Sequence, residues 1–377
     1  MDEPSILEYF QSCNISRESF LKDIEILKPG HYLKLDLSNN TIFIKKYVDV
    51  YEGISNAKYI ANKKAKEEDL VNELDELLNR VIKDQLVSDA PLGAICSGGL
   101  DSSLVAAIAS KYKENVKILN VKVEGAKFDE SEHAHRVARH LGLGLIEERL
   151  NREKYLELYQ RCIDLEDLPL SHPNSVGIYL ISMRAKEEGL SVLLSGEGAD
   201  ELFAGYHQYL SYYKSALLKS IPFMRYILAL KNGQPDDTNH KDNLPSIRAM
   251  VNNMNRIQDS LSYVSNKVER QTLSYILKDL RYYLVPILRR TDRMSMGAGI
   301  EMRVPYLDNR LIDFALNLPL KYRLNFSQGK RLLKKVAERY LPKEIIYRKK
   351  MGFPLPVEEW LGKDEFKKLM YSSWVKT

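Results

Sequence analysis

The stretch Ala94-Ile95-Cys96-Ser97-Gly98-Gly99-Leu100-Asp101-Ser102-Ser103 joins an apolar run to a segment rich in hydroxyl side chains. It predicts a strand over residues 92–96, a glycine turn, and a helix over residues 102–112. A helix N-terminus presents unpaired backbone N–H groups, and glycines let the backbone approach a phosphate closely. The stretch therefore indicates an anion-binding turn, with a plain glycine turn and serine cap as the alternative. No Gly-Lys-Ser/Thr follows, so it is not a Walker A loop.

Strand patterns and helix patterns alternate on the carboxyl side of this turn. Further strands are predicted at residues 116–123, 143–147 and 191–194, with helices between them. This alternation predicts an α/β fold with a doubly wound, mostly parallel sheet, whose ligands bind at the carboxyl ends of the strands. After Tyr206 the pattern is mainly helical, which indicates a helical C-terminal extension, interrupted by a polar loop at residues 231–243.

The first part of the chain carries a different pattern. Residues 1 to about 50 read as strands and turns, with alternation over residues 31–37, and are too few for an independent core. Composition becomes polar and lysine-rich around residues 56–68, which indicates a boundary. From Leu70 onward, apolar residues at helical spacing predict an amphipathic helix.

A second glycine-rich turn follows the strand predicted at residues 191–194. Residues 193–206 read Leu-Leu-Ser-Gly-Glu-Gly-Ala-Asp-Glu-Leu-Phe-Ala-Gly-Tyr, and they place Glu197, Asp200 and Glu201 among small residues. Three gathered carboxylates repel one another unless cations or solvent compensate. A Mg²⁺ held by one or two carboxylates and by ATP phosphates is the predicted compensator. The alternative is a solvated acidic turn.

Composition limits the classes of function. The chain has 377 residues, 44% of them hydrophobic, which is enough for a large domain with a smaller one. A net charge of +5 is too small for a dedicated nucleic-acid binder. Three widely spaced cysteines indicate neither disulfides nor a zinc site and favour a reducing, cytoplasmic setting. We find no signal-peptide pattern and no apolar run of membrane-spanning length, so no membrane partner is expected.

Several features favour ordinary structural roles. His133 and His140 lie seven residues apart on a predicted helix, but no third metal ligand is apparent. Tyrosines between residues 206 and 283 indicate helix packing rather than stacking on nucleic-acid bases. A basic zone is interpreted as a solvated helix face, with Lys330 as the exception because of its nearness to the predicted phosphate site. The zone comprises Lys330, Arg331, Lys334, Lys335, Arg348, Lys349 and Lys350.

Four ordered motifs together resemble the synthetase domain of asparagine synthetases. They are the two glycine turns, then Arg-Thr-Asp-Arg-Met-Ser-Met from Arg290 with Glu-Met-Arg-Val-Pro-Tyr-Leu-Asp from Glu301, then Gly329-Lys330. The resemblance spans residues 90 to about 360. It implies the ATP pyrophosphatase fold of the PP-loop, HUP-like type, and the substrates and cofactors ATP, Mg²⁺, a carboxylate acceptor and ammonia.

The resemblance also implies roles for individual residues. Asp101 and Asp200 bind Mg²⁺, Lys330 neutralises charge as the acceptor attacks the α-phosphorus, and Glu197 assists attack by ammonia. A buried support network consists of Arg293, Glu301, Arg303 and Asp308. The residues implied to bind ATP or pyrophosphate are Ile95, Ser97, Gly98, Gly99, Asp101, Ser102, Ser103, Val121, Ser195 and Gly196.

The chain departs from the family pattern at its start. Glutamine-dependent members carry a nucleophilic cysteine directly after the initiator Met, whereas this chain has Asp2. Residues 1–58 resemble only the closing segment of a class II glutamine amidotransferase domain, and residues 59–377 resemble the synthetase domain. We therefore expect free ammonia, a separate glutaminase subunit or a longer parent chain to be involved. A homo-oligomer is also possible.

Three functions remain open at this level. The first is intermolecular amidation of aspartate or a similar acid, favoured by Glu197 because relatives resembling β-lactam synthetases carry Tyr there. The second is a specialised relative that acts on a natural-product, sugar or peptide carboxylate by the same adenylation chemistry. The third is a nucleic-acid-modifying enzyme with the same loop, or a binding protein that retains only the fold.

Overall fold

The computed structural model describes residues 5, 6, 9, 19–114, 116–125, 130–166, 172–220, 245–350, 355–365, 368 and 369. The chain forms two compact units, each assembled from separated segments. The first comprises Met1–Ala65, Ala204–Tyr283 and Ile312–Gly329, and the second comprises Lys66–Phe203, Leu284–Leu311 and Lys330–Thr377. The two units interleave along the sequence, and the predicted division at residues 58 and 59 stays a prediction.

The second unit is built on a parallel sheet of five strands. The strands are β3 (Leu92–Ile95), β4 (Lys117–Val123), β5 (Leu145–Leu150), β6 (Val192–Leu194) and β7 (Glu301–Arg303). Their order across the sheet is β5-β4-β3-β6-β7, and every pair is parallel. The strand order reverses at β3, since β4 lies on one side of it and β6 on the other. The α/β class and doubly wound parallel sheet predicted from sequence are confirmed.

Both faces of this sheet are covered, as the near-continuous apolar strands require. Leu119 and Leu193 face one side and pack with Ile181 of a helix at Ser175–Glu187. Residues of the opposite parity, Ile118 and Leu194, are also completely buried. The helices of this unit are α2 (Glu67–Gln85), α3 (Leu100–Tyr112), α4 (Ser131–Leu141), α5 (Arg152–Glu166), α6 (Ser175–Glu187), α7 (Ala199–Phe203), α12 (Leu284–Gly297), α15 (Arg331–Ala337), α16 (Lys343–Ile346) and α17 (Val357–Leu361).

The first unit combines a hairpin with helices. Strands β1 (His31–Asp36) and β2 (Thr41–Lys46) pair antiparallel, in agreement with the alternation in the sequence. Its helices are α1 (Asn56–Lys64), α8 (His207–Ser220), α9 (Pro245–Ser260), α10 (Lys267–Leu277), α11 (Asp279–Tyr282) and α14 (Leu320–Arg323), while α13 (Asn309–Leu316) begins in the second unit and ends in this one. The predicted loop at 231–243 lies outside the described residues.

Tyrosines hold helices of the first unit together, as predicted. Tyr212 stacks on Tyr275 with ring centroids 4.1 Å apart, and Tyr209 meets the same ring edge-on at 6.1 Å. The Tyr209 hydroxyl donates a hydrogen bond to the Asp279 carboxylate at 2.8 Å. The ring contacts join α8 to α10, and the hydrogen bond joins α8 to α11. In the described part of the chain, no helix combines the length and the apolar character that a membrane crossing demands.

Candidate active site

Two glycine turns meet at the point where the strand order of the sheet reverses. One follows β3 and leads into α3, and the other follows β6 and leads into α7. A Cβ atom added to Gly196 comes within 2.7 Å of the Ser102 amide nitrogen, so the turns touch through their backbones. Crevices beyond the carboxyl ends of strands at such a reversal are the usual ligand sites of open α/β sheets.

Hydroxyl groups organise the first turn. The Ser97 amide donates to the Ser102 hydroxyl at 3.2 Å, and the Gly99 amide donates to the Ser97 hydroxyl at 3.3 Å. Gly98 has φ of +70°, and a Cβ there comes within 2.5 Å of the Ala134 amide nitrogen of α4. Only glycine fits this backbone. Ser97, Ser102 and the N-terminus of α3 are thus brought together, and their binding of an anion stays a prediction.

Other predicted nucleotide-binding residues surround this turn with different exposure. Ser103 is completely buried, and its hydroxyl lies 3.8 Å from the Cys96 sulfur. Ile95 and Val121 are partly buried beside the core of the sheet. The Ser195 hydroxyl accepts from the Glu197 amide at 3.2 Å and so shapes the second turn. Their contacts with a nucleotide stay predictions.

Lys330 joins the two turns electrostatically. Its Nζ lies 2.5 Å from Asp101 Oδ2 and 2.6 Å from Asp200 Oδ1, and the residue is only 5% exposed. Its backbone, at φ of 55°, is left-handed, and its amide donates to the Phe203 carbonyl at the end of α7 at 3.0 Å. A non-glycine residue in this strained region is more frequent at functional sites.

The charges of this centre are coupled. Burial raises the pKa of Asp101, an effect that Lys330 opposes and Asp200 reinforces. Burial acts in the same sense on Asp200, but Lys330 and Lys350 outweigh it and lower the pKa of that carboxyl. Burial disfavours the charged form of Lys330, yet the two aspartates hold its pKa above the ordinary value. Asp200 and Lys330 are therefore both ionised at neutral pH.

Two residues of the basic zone belong to this site, and their interpretation as a solvated helix face was wrong. Lys350 Nζ contacts Asp200 Oδ1. Arg348 Nε donates to the Gly98 carbonyl at 3.0 Å, and its guanidinium pairs with Glu130 at 2.6 Å. Both residues follow the end of α16 rather than lying on a helix. A charged run in the sequence carries no signal that distinguishes such residues from solvated ones.

Glu197 has partners of its own. Its Oε1 accepts from the Thr291 hydroxyl at 2.8 Å and lies 3.4 Å from Arg290, which also donates to Asn174 at 2.9 Å. Glu197 Oε2 and Arg290 Nε are buried and make no hydrogen bond to any described residue. Burial raises the pKa of Glu197, although Arg290 and Thr291 favour its charged form. A carboxyl that titrates closer to neutrality is suited to general base catalysis.

Protein cations compensate part of the acidic turn, and the predicted Mg²⁺ held by one or two of its carboxylates stays a prediction. Glu197 faces Arg290, whereas Asp200 faces Lys330 and Lys350, so the protein supplies separate compensating charges. Within the ranges that the structure describes, no group of three or more His, Cys, Asp or Glu side chains is arranged to hold a metal. The carboxylates of the acidic turn therefore lie in two separate environments, Glu197 beside Arg290 and Asp200 beside the two lysines.

The predicted support network is only partly buried. Glu301 begins the edge strand β7 and its side chain is 58% exposed, and Arg293 is exposed on α12, so their predicted burial was wrong. Arg303 pairs with Glu301 at 2.7 Å and donates to the Gln85 carbonyl at 2.6 Å, which ties β7 to α2. Asp308 accepts from Arg310 at 2.8 Å, and these hydrogen bonds lower its pKa. An edge strand leaves such side chains accessible to water.

The donor set at the centre fits the predicted Mg²⁺. Asp101 Oδ1 is buried and accepts no hydrogen bond from any residue in the described ranges. Carboxylate oxygens are the protein ligands that Mg²⁺ prefers, and it commonly binds one or two of them together with phosphates. The free oxygen of Asp101 and the neighbouring Asp200 are therefore suitable ligands.

Gly196→Ala tests the contact between the two turns. The new methyl group meets the backbone at Ser102, which cannot move aside as a flexible side chain can, so we expect a loss of roughly 1–3 kcal/mol in unfolding free energy. Nucleotide affinity should fall as well. Gly144→Ala is the matched control because no atom lies within 4 Å of its added Cβ and its stability should change by less than about 1 kcal/mol. Chemical denaturation measures both variants, and equal stabilities contradict the contact.

The fold and the paired turns define an α/β protein whose two glycine turns meet at the reversal of strand order. The family model described as asparagine synthase matches residues 73–375. The chain therefore belongs to the asparagine synthase family, as its motifs predicted.

Curated relatives agree with this membership. The chain is 28% identical over 325 residues to asparagine synthetase [glutamine-hydrolyzing] 1 of Bacillus subtilis, covering 78% of this chain and 51% of that protein. It is 30% identical over 356 residues to asparagine synthetase [glutamine-hydrolyzing] of Pongo abelii, covering 90% and 54% respectively. The chain thus spans about half the length of these relatives. An NH3-dependent NAD synthetase structure from Campylobacter jejuni aligns over 59% of this chain with 13% identity and a TM-score of 0.30, a likeness too weak to support a conclusion.

Proposed function

We propose that this chain is an ATP-dependent ligase that joins a carboxylate to ammonia through an acyl-adenylate, with aspartate as the acceptor. The observation that carries the proposal is the contact of Lys330 with Asp101 and Asp200, each beside a different glycine turn. This centre combines a backbone anion site, carboxylates suited to Mg²⁺ and a buried cation. A carboxylate is a poor electrophile, and its activation by transfer to the α-phosphorus of ATP uses those three elements.

In the first step, an oxygen of the acceptor carboxylate bonds to the α-phosphorus of ATP and the bond to pyrophosphate breaks. The amides at the start of α3 and the Ser97 and Ser102 hydroxyls bind phosphate oxygens. When bound by Asp101 and Asp200, Mg²⁺ neutralises phosphate charge.

Two lysines divide the remaining work of that step. Lys330 is enclosed and fixes the two aspartates, while the Lys350 side chain is 40% exposed and can approach the reacting phosphate. Lys330 also supplies positive charge to the centre. Both therefore favour the charge that develops as pyrophosphate leaves.

In the second step, the nitrogen of ammonia bonds to the acyl carbon and loses a proton. The bond between the acyl carbon and the bridging phosphate oxygen breaks, and AMP leaves with that oxygen. Glu197 accepts that proton through Oε2, the carboxylate oxygen that has no donor among the described residues. Thr291 and Arg290 hold the other oxygen and so orient the group. A positioned base of this kind accelerates proton transfer by about 10²–10⁴-fold.

Product analysis tests this function. The protein is incubated with Mg²⁺-ATP, ammonium and aspartate, and AMP, pyrophosphate and asparagine are quantified. The proposal expects the three products in equal amounts. A panel of other carboxylic acids, read by acid-dependent pyrophosphate release, decides whether the acceptor is aspartate or a more specialised carboxylate. ADP and phosphate as products, or no turnover with any acid, contradict the proposed chemistry.

We further propose that a glutamine-hydrolysing region, in another subunit or a longer parent chain, supplies ammonia and docks on the β1–β2 hairpin. The cross-strand pairs Leu33–Ile44 and Leu35–Ile42 lie on one face. All four side chains are between 44% and 64% exposed. A two-stranded hairpin with an open apolar face is marginally stable alone, which favours a covering partner. The names of the longer relatives, which specify glutamine hydrolysis, support this partner.

Disrupting the apolar face tests the docking. The remaining half of the Bacillus subtilis relative is added as the ammonia source, with either glutamine or ammonium. Leu33→Ser/Ile44→Ser should lose glutamine-supported turnover and keep ammonium-supported turnover. Lys34→Ser, on the opposite face of the hairpin, is the control. Glutamine-supported turnover that is unchanged in the double variant excludes this face as the docking surface.

A further inference from the structure

Arg348 connects the segment that follows α16 to the first glycine turn and to the start of α4. Its Nε donates to the Gly98 carbonyl in the first glycine turn, and its other nitrogen pairs with Glu130 at the start of α4. The side chains of Arg348 and Glu130 are 11% and 13% exposed. An arginine held by two fixed acceptors in a nearly dry setting has little freedom, because its planar guanidinium matches both at once.

The first glycine turn also packs through its backbone against the start of α4. Gly98 lies directly against the first turn of α4, where a Cβ comes within 2.5 Å of the His133 carbonyl carbon. The carbonyl of Glu130 accepts from the amides of His133 and Ala134 in that turn. Gly98, the start of α4 and Arg348 therefore form a closed set of contacts around the phosphate turn.

Two residues beyond Arg348 along the chain, Lys350 contacts Asp200 in the second turn. Two residues of extended chain span at most about 7 Å, so fixing Arg348 restricts where Lys350 can be. The segment at Arg348 and Lys350 thus bridges both glycine turns.

We propose that Arg348 is a positioning residue that holds the Gly98 turn in its anion-binding shape and delivers Lys350 to the phosphates. This inference rests on the proposed adenylation chemistry. Arg348 does not touch the reacting atoms. It acts through the backbone of the turn and through Lys350, and its loss displaces both.

Arg348→Ala should slow acceptor-dependent pyrophosphate release by about 30- to 100-fold, because small misplacements of a reacting group have effects of that size. The KM for the acceptor should stay within about threefold, and Mg²⁺-ATP should bind roughly tenfold more weakly. Arg348→Lys should stay impaired, since one ammonium cannot replace the fork between the Gly98 carbonyl and Glu130. Arg139→Ala, which changes an exposed arginine on α4, the helix that Arg348 contacts through Glu130, is the control and should behave as the unsubstituted protein.

A double-mutant cycle with Lys350→Ala decides whether Arg348 acts through Lys350. Arg348→Ala should slow Lys350→Ala by clearly less than the factor of about 30 to 100 expected in the unsubstituted protein, because the lysine that Arg348 positions is already gone and only the effect on the Gly98 turn remains. Effects that multiply overturn the proposal, as does full activity of Arg348→Lys. If Arg348→Ala does not fold, Arg348→Lys is used in the same cycle. Should no acid stimulate pyrophosphate release from the unsubstituted protein, the proposed function fails, and Mg²⁺-ATP affinity across the same cycle still tests Arg348.

Discussion

Lys330→Ala should lower the rate of AMP formation on the order of a thousandfold while Mg²⁺-ATP still binds. The side chain is the only ammonium, among the residues the structure describes, that contacts both Asp101 and Asp200. Its removal leaves two carboxylates facing each other beside the phosphates, where negative charge already accumulates. The backbone amides and hydroxyls of the first turn remain, so nucleotide binding survives.

The same change should also destabilise the fold. Removing one partner of a buried ion pair costs roughly 3–5 kcal/mol, because the remaining charge loses its compensation. The loss is expected near the lower end, since the pKa of Asp101 is already raised by burial and that carboxyl can take up a proton. Rapid-quench measurement of AMP and chemical denaturation give the two values.

Lys335→Ala provides the matched control, because Lys335 lies on α15, the helix that begins directly after Lys330. Lys335 pairs only at 3.4 Å with Glu338 and its side chain is 49% exposed, so its stability change should stay within about 1 kcal/mol. Its rate of AMP formation should be unchanged. Normal turnover by Lys330→Ala refutes the role assigned to that lysine.

Glu197→Gln should separate the two chemical steps. The rate of amide formation from the adenylate should fall by about 10²–10⁴-fold, because the glutamine side chain cannot accept the proton. Pyrophosphate release in the first turnover should stay within about threefold, since Glu197 contacts Thr291 and Arg290 rather than the phosphate centre. Single-turnover experiments that follow pyrophosphate and amide together check this. Equal losses in both steps contradict a role confined to the second.

The pH dependence of Glu197 has a definite sign. Burial raises the pKa of this carboxyl above its ordinary 4.5, so the ionised base becomes available only as pH rises beyond the ordinary range. Amide formation should therefore increase with pH, measured at a constant concentration of unprotonated amine, and the dependence should vanish in Glu197→Gln. Protonated Glu197 favours the folded state, so its contribution to unfolding free energy is present below pH 4.5 and is lost as pH rises through the raised pKa.

Local patterns predicted the parts of this molecule that local chemistry determines. The first turn was predicted because an apolar strand, Ser97 to Gly99 and a helix start are contiguous. The hairpin was predicted because alternation over residues 31–37 is a period-two signal. The parallel sheet followed from alternation of strands and helices, but the strand order β5-β4-β3-β6-β7 depends on long-range pairing that no such pattern specifies.

The missed residues share a physical reason. Arg348 contacts Gly98 across 250 positions of the chain, and Thr291 contacts Glu197 across 94. No periodicity connects residues so far apart, and a basic run looks the same whether solvent or a carboxylate faces it. The exposed Glu301 was missed for the opposite reason, since the edge position of β7 is a property of the whole sheet. Lys330 was identified through family resemblance, not through spacing.

The central claim is that the acceptor carboxylate attacks the α-phosphorus at the Asp101–Lys330–Asp200 centre. Aspartate labelled with ¹⁸O in its side-chain carboxylate tests this directly, because the oxygen that bonds to phosphorus stays with the nucleotide when the amide forms. The account predicts one ¹⁸O atom in each AMP released. Label in inorganic phosphate, with ADP as the nucleotide product, contradicts it.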